Sequence, residues 1–167
     1  MAARTAIGGN VQSVTDISLA ANAMIGGTVT AGAVVTLGAD AIVARSLKAG
    51  TLVTLDVSTV VYGSILAGTT ATIGASAAIG GGLTAGTTIT IGATVEVGGN
   101  VLAGTTITIG ASSIFRGDVD AGTTSCKEYN TCVVCTFLSR SVDVANVSLS
   151  SLFSFLFSLF SFLFSLF

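Results

Sequence analysis

The sequence predicts an all-β fold: a single-stranded parallel β-helix, or β-solenoid, wound from 18-residue coils of three short strands. Three observations predict it. Ala-Gly pairs begin at Ala31, Ala49, Ala67, Ala85, Ala103 and Ala121, so every interval is 18 residues, and self-similarity at a fixed period marks a stacked repeat. Within each repeat, apolar residues alternate with polar residues or glycine, which is the period of a strand buried on one face. Glycine recurs near positions 2, 8 and 15, and proline is absent. Those glycines divide the coil into three strands and are expected to form the tight turns between them.

Counting from each Ala-Gly pair, successive copies read "AGAVVTLGADAIVARSLK", "AGTLVTLDVSTVVYGSIL", "AGTTATIGASAAIGGGLT", "AGTTITIGATVEVGGNVL" and "AGTTITIGASSIFRGDVD". An earlier copy starts at Ser13, and residues 1–12 form two thirds of another, with Ile7 and Val11 in their expected columns. The frame is expected to run unbroken through residues 1–124, which defines the repeat domain. The fifth column holds Ile17, Val35, Val53, Ala71, Ile89 and Ile107. The thirteenth runs from Ile7 to Phe115 through Ile and Val alone. Stacked coils would bury these columns as ladders with rungs about 4.7 Å apart. Each buried Ile or Val contributes roughly 1.5–3 kcal/mol, so a stack can be stable where one coil cannot.

Composition narrows the function. Only 8% of the 167 residues are charged and the net charge is −2, so no basic field exists to hold nucleic acid. Histidine is absent, which removes the commonest acid–base and metal-binding side chain. Asp118 and Asp120 are the closest acidic pair and read as a solvated surface pair. "IGGG" at residues 79–82 has no P-loop lysine after it and reads as a solenoid corner. The expectation is a protein that is not an enzyme and that needs no cofactor or metal.

"AGTTITIG" occurs at residues 85–92 and again at 103–110. If Ile89 and Ile91 point inward, Thr88 and Thr90 point outward from the same strand. The sixth column holds Ser18, Thr36, Thr54, Thr72, Thr90 and Thr108, and the fourth holds Asp16, Val34 and Leu52 followed by Thr70, Thr88 and Thr106. Together they predict a grid spaced about 4.7 Å between coils and about 6.6–6.8 Å along the strand, close to the oxygen repeats on a prism face of ice. Threonine is stiff at χ1, so such an array is ordered before it meets ice. These eight threonines are the candidate ice-binding residues, with an ice surface as the partner. The plain alternative is that threonine is simply a good strand residue on a solvated face.

The units "AGTTITIGATVEVGGNVL" and "VYGSILAGTTATIGA" resemble the coil repeats of the large microbial ice-binding (antifreeze) protein family over residues 13–124. The resemblance implies a right-handed β-solenoid, in preference to the left-handed hexapeptide helix that shares the same cadence of sixes. It also implies adsorption to ice and a secreted or cell-surface location. The family's flanking helix, its N-terminal cap and a signal peptide have no counterpart in this sequence, as a truncated N-terminus would explain. The repeats also resemble those of bactofilins, polymer-forming bacterial cytoskeletal proteins, which implies end-to-end self-association. Bactofilin coils are richer in charge than these, so they rank second. Hexapeptide acyltransferases share the cadence but typically use a histidine base that this chain lacks.

Register is lost after Thr124. Residues 125–148 form an irregular segment holding Cys126, Cys132 and Cys135. A zinc site would need a fourth ligand, so these cysteines read as candidate disulfide partners. Residues 149–167 form a low-complexity Leu/Phe/Ser tail in which "SLFSFLF" occurs twice. The tandem copy reads first as simple-sequence DNA carried through by a faulty gene model. The alternatives are an apolar helix just long enough to span a bilayer, giving membrane association, a removable lipid-anchor signal or a disordered tail.

Overall fold

The computed structural model describes residues 4–126, with side chains as far as Gly122. The described residues contain strands and turns and no helix, and every strand pairing is parallel. The chain is a β-solenoid with 18-residue coils. Residue pairs such as Val61 with Ile79, Leu83 with Val101, and Ile89 with Ile107 stand side by side one coil apart.

Each coil contributes to three ladders. The first has seven two-residue strands, from Ala6–Ile7 through Val60–Val61 and Glu96–Val97 to Ile114–Phe115. The second includes Val29–Ala31, Leu47–Ala49, Ile65–Ala67 and Leu83–Ala85, and the third Val34–Leu37, Leu52–Leu55, Thr70–Ile73 and Thr88–Ile91. The strand Val101–Ile109 turns the corner without interruption and joins the second and third ladders into one twelve-stranded sheet. Backbone hydrogen bonds tie coil to coil, as where Gly98 N donates to Ile79 O and Gly92 N to Ile73 O, both at 2.8 Å.

The core is one apolar column system along the axis. Inward residues occupy positions 17 and 1, 5 and 7, and 11 and 13. In one coil these are Leu83 and Ala85, Ile89 and Ile91, and Val95 and Val97, none more than 2% exposed. Each side therefore places two inward residues around one outward residue, at positions 18, 6 and 12. The period of two holds within each side and fails at the corners, where odd-numbered Thr87 and Ala93 are exposed. Position 11 buries two polar residues, both satisfied. The Thr59 hydroxyl donates to Asp56 O at 3.1 Å, while the Ser113 hydroxyl donates to Gly92 O and accepts from Val95 N.

The corners fall at the recurrent glycines, as the sequence predicts. No glycine has a left-handed backbone; that conformation falls at position 10, on Asn22, Asp40, Ser58, Ser76, Thr94 and Ser112, with φ between 57° and 61°. Short polar residues tolerate it best because their side chains bond locally. Glycine at position 2 serves close approach instead: a Cβ on Gly50, Gly68, Gly86 or Gly104 would collide with the carbonyl oxygen of the glycine one coil before it. Position 2 of the first full coil is Val14, 92% exposed, so a side chain fits where no coil packs beneath it.

The frame also slips at its end. Ala103 pairs with Ala121, 18 residues on, but Thr106 pairs with Thr123 and Ile107 with Thr124. The bulge offsets the last strand, Val119–Cys126, by one residue and places Thr124 opposite a core column. Cys126 ends that strand. Cys132, Cys135 and the Leu/Phe/Ser tail, with its alternative readings, lie outside the described residues.

Two stability outcomes follow. Gly68→Ala should lower stability by at least about 2 kcal/mol, because rigid backbone must move, whereas Val14→Gly should change it by less than about 1 kcal/mol. Thr94→Asn should stabilise the fold by up to about 1 kcal/mol, since a β-branched residue is the least suited to φ near 60°. Urea unfolding of each variant measures both.

Candidate functional site

The three outward columns have equal standing in the repeat yet differ in content. Position 12 reads Met24, Ile42, Val60, Ala78, Glu96 and Ile114, and position 18 reads Thr30, Lys48, Leu66, Thr84, Leu102 and Asp120. Position 6 reads Ser18 and then Thr36, Thr54, Thr72, Thr90 and Thr108, a hydroxyl residue in every one of these coils. All eight threonines singled out in the sequence stand on the third ladder. Thr36, Thr54, Thr72, Thr90 and Thr108 are consecutive cross-strand partners, and so are Thr70, Thr88 and Thr106. From Ile17 to Ile109 that ladder has no bulge, so rungs repeat at about 4.8 Å.

The paired columns occupy only part of the ladder. Position 4 holds Asp16, Val34 and Leu52 before it becomes Thr70, Thr88 and Thr106. The Asp16 carboxylate accepts a hydrogen bond from Val34 N at 3.0 Å. It is the one charged group in either column among the described residues.

A third threonine column, at position 3, was not anticipated and separates two roles for the hydroxyl. Thr51, Thr69, Thr87 and Thr105 each donate through Oγ1 to the carbonyl of the residue one coil below, at 2.9–3.0 Å. These hydroxyls stitch the corner together. By contrast, the hydroxyls of Thr36, Thr54, Thr70, Thr72, Thr88, Thr90 and Thr108 make no hydrogen bond to protein, and among the described residues no unpartnered side-chain oxygen is buried. They therefore open to solvent, while the half-buried side chains of six of the seven are held between their neighbours. The sequence carried a signal for the difference, since position 3 follows the corner glycine and position 4 begins the strand.

The position-16 side chains perform similar stitching on another corner. Asn10 Oδ1 accepts from Thr28 N, Ser64 Oγ from Gly82 N, and Asn100 Oδ1 from Asp118 N. Asp118 is thus held by its backbone at a corner, and Asp120 lies on the neighbouring strand. Among the described residues no cluster of His, Cys, Asp or Glu is arranged to hold a metal ion. No family model matches the chain, and neither a curated protein nor a solved structure matches it.

The two threonine classes should separate by mutation. Thr69→Val removes a corner hydrogen bond and should lower stability by about 1 kcal/mol. Thr70→Val, one residue later, loses no protein partner and should change stability by no more than about 0.5 kcal/mol. Chemical denaturation of the two variants side by side measures the difference.

Proposed function

We propose that this protein binds ice through the threonine columns at positions 4 and 6, with Thr70, Thr72, Thr88, Thr90, Thr106 and Thr108 forming the densest part of the contact and Thr36 and Thr54 extending it. One observation carries the reading: position 6 is Ser18 in the first full coil and threonine in the five that follow, with the threonine hydroxyls open to solvent, while the equivalent positions 12 and 18 vary freely. Repeat duplication copies every column equally, and strand propensity favours Val, Ile or Tyr as much as Thr. Neither accounts for one outward column kept as a hydroxyl residue from Ser18 to Thr108 beside two that diverge.

The chemistry suits a solid water surface. Each side chain pairs a hydroxyl, which takes a place in a hydrogen-bonded water lattice, with a methyl group that limits the orientations of nearby water. The rotamers are restricted by χ1 branching and by neighbours one rung away, so adsorption orders little that was free. Charged groups would retain their own hydration shells, and both columns lack them beyond Asp16. This reading places the chain with the microbial ice-binding proteins its repeats resemble, and with them at the cell surface or outside it.

The test compares faces. Thr90→Lys combined with Thr108→Lys should abolish ice-crystal shaping and thermal hysteresis, with the β-sheet circular dichroism unchanged. Thr84→Lys, on the second ladder, should leave both activities in place. Activity that survives the double change would mean that another face is used. Filaments in negative stain with no effect on ice would favour the polymer-forming alternative.

A further inference from the structure

The first ladder carries a groove that the ice-binding reading does not use. It measures about 360 Å³ and is lined by Val60, Tyr62, Ala78, Gly80, Gly98 and the Glu96–Arg116 pair, among others. Small-ligand sites start at about 300 Å³, so it has room for part of a chain molecule. Tyr62 and Arg116 both occupy position 14, three coils apart, and the residues between them in that column are Gly80 and Gly98. The groove therefore has a backbone floor about 14 Å long, with an aromatic ring at one end and an ion pair at the other.

We propose that this groove binds a neutral saccharide chain. Tyr62 is 65% exposed, an unusual position for a ring that would bury well in a core. An exposed ring face stacks against the C–H face of a pyranose, which is apolar although the sugar's rim is not. At the far end, Arg116 donates from Nε at 3.0 Å and from Nη2 at 2.6 Å to the same oxygen, Glu96 Oε1. That geometry leaves Glu96 Oε2 as an acceptor and Arg116 Nη1 as a donor within one ion pair. Hydroxyls of a sugar both donate and accept, so either group can bond one.

Other occupants fit less well. An anion gains little, because Glu96 already neutralises Arg116. An extended peptide cannot add a strand, since Val60–Val61 is paired on both edges, to Ile42–Val43 and to Ala78–Ile79. A second copy of the chain would find a side two residues wide and seven strands tall, roughly 200 Å², against the ~800 Å² per partner of a stable interface. A single sugar chain needs no more width than the groove has.

Titration calorimetry with cellohexaose and maltohexaose as neutral probes, and hexagalacturonate as the charged one, tests the site on the full chain. At least one neutral hexasaccharide should bind with Kd of about 0.1–1 mM. Tyr62→Ala should weaken it by about tenfold, Tyr62→Phe should retain it, and Arg116→Ala should weaken it to a similar degree. Thr90→Lys should leave it unchanged, so this site stands or falls independently of the ice-binding face. No heat with either neutral probe, equal affinity in Tyr62→Ala, or tighter binding of hexagalacturonate would overturn the proposal.

Discussion

The spacing of parallel strands at about 4.8 Å, enforced by hydrogen bonds from each coil to the next, is the constraint from which the rest of this molecule follows. Because the coils keep an 18-residue period as far as the final bulge, a residue sits above its own counterpart. A side chain that suits one rung must then suit contact with a copy of itself. Leucine, isoleucine and valine do so inside the stack by packing edge to edge with almost no exposed surface. Glycine does so at position 2, because the corner brings successive backbones closer than a Cβ allows.

The same constraint turns single residues into columns, so a property chosen once is displayed as a line. An outward threonine becomes a row of hydroxyls at the rung spacing, and an outward polar residue at a corner becomes a hydrogen-bonded seam. Which of the two results depends on the direction of the side chain relative to the axis. At position 3 the hydroxyl lies along the axis and meets the carbonyl below it. At positions 4 and 6 the strand points the side chain away from the core, and the hydroxyls of Thr70, Thr72, Thr88 and Thr90 meet solvent there.

Divergence between coils then marks where the lattice is interrupted. Tyr62 and Arg116 break a corner column in which Gly26, Gly80 and Gly98 also stand. Between those two bulky side chains the glycines leave a trough that a perfectly repeated sequence would not have. The bulge after Ala121 is a second interruption, and it shifts the last strand so that Thr124 pairs with Ile107, 17 residues before it. A regular face and an irregular groove therefore coexist on different sides of one stack.

The sequence by itself determined the architecture: the 18-residue period, the three-strand coil, the inward columns led by Ile89 and Val97, and the placing of all eight threonines on one ladder. Those features are legible because burial on one side of a strand imposes a period of two, and stacking imposes the longer period upon it. Only the tertiary structure decided that the corner glycines serve close packing, that the left-handed turn falls on Ser76 and Thr94, and that Thr69 is bonded while Thr70 is free. It also decided that Tyr62, Glu96 and Arg116, spread over three coils, share one groove. Most of those outcomes depend on distances between residues 18 or more positions apart in the chain, up to the 54 between Tyr62 and Arg116. Such distances exist only once the coils have closed on one another.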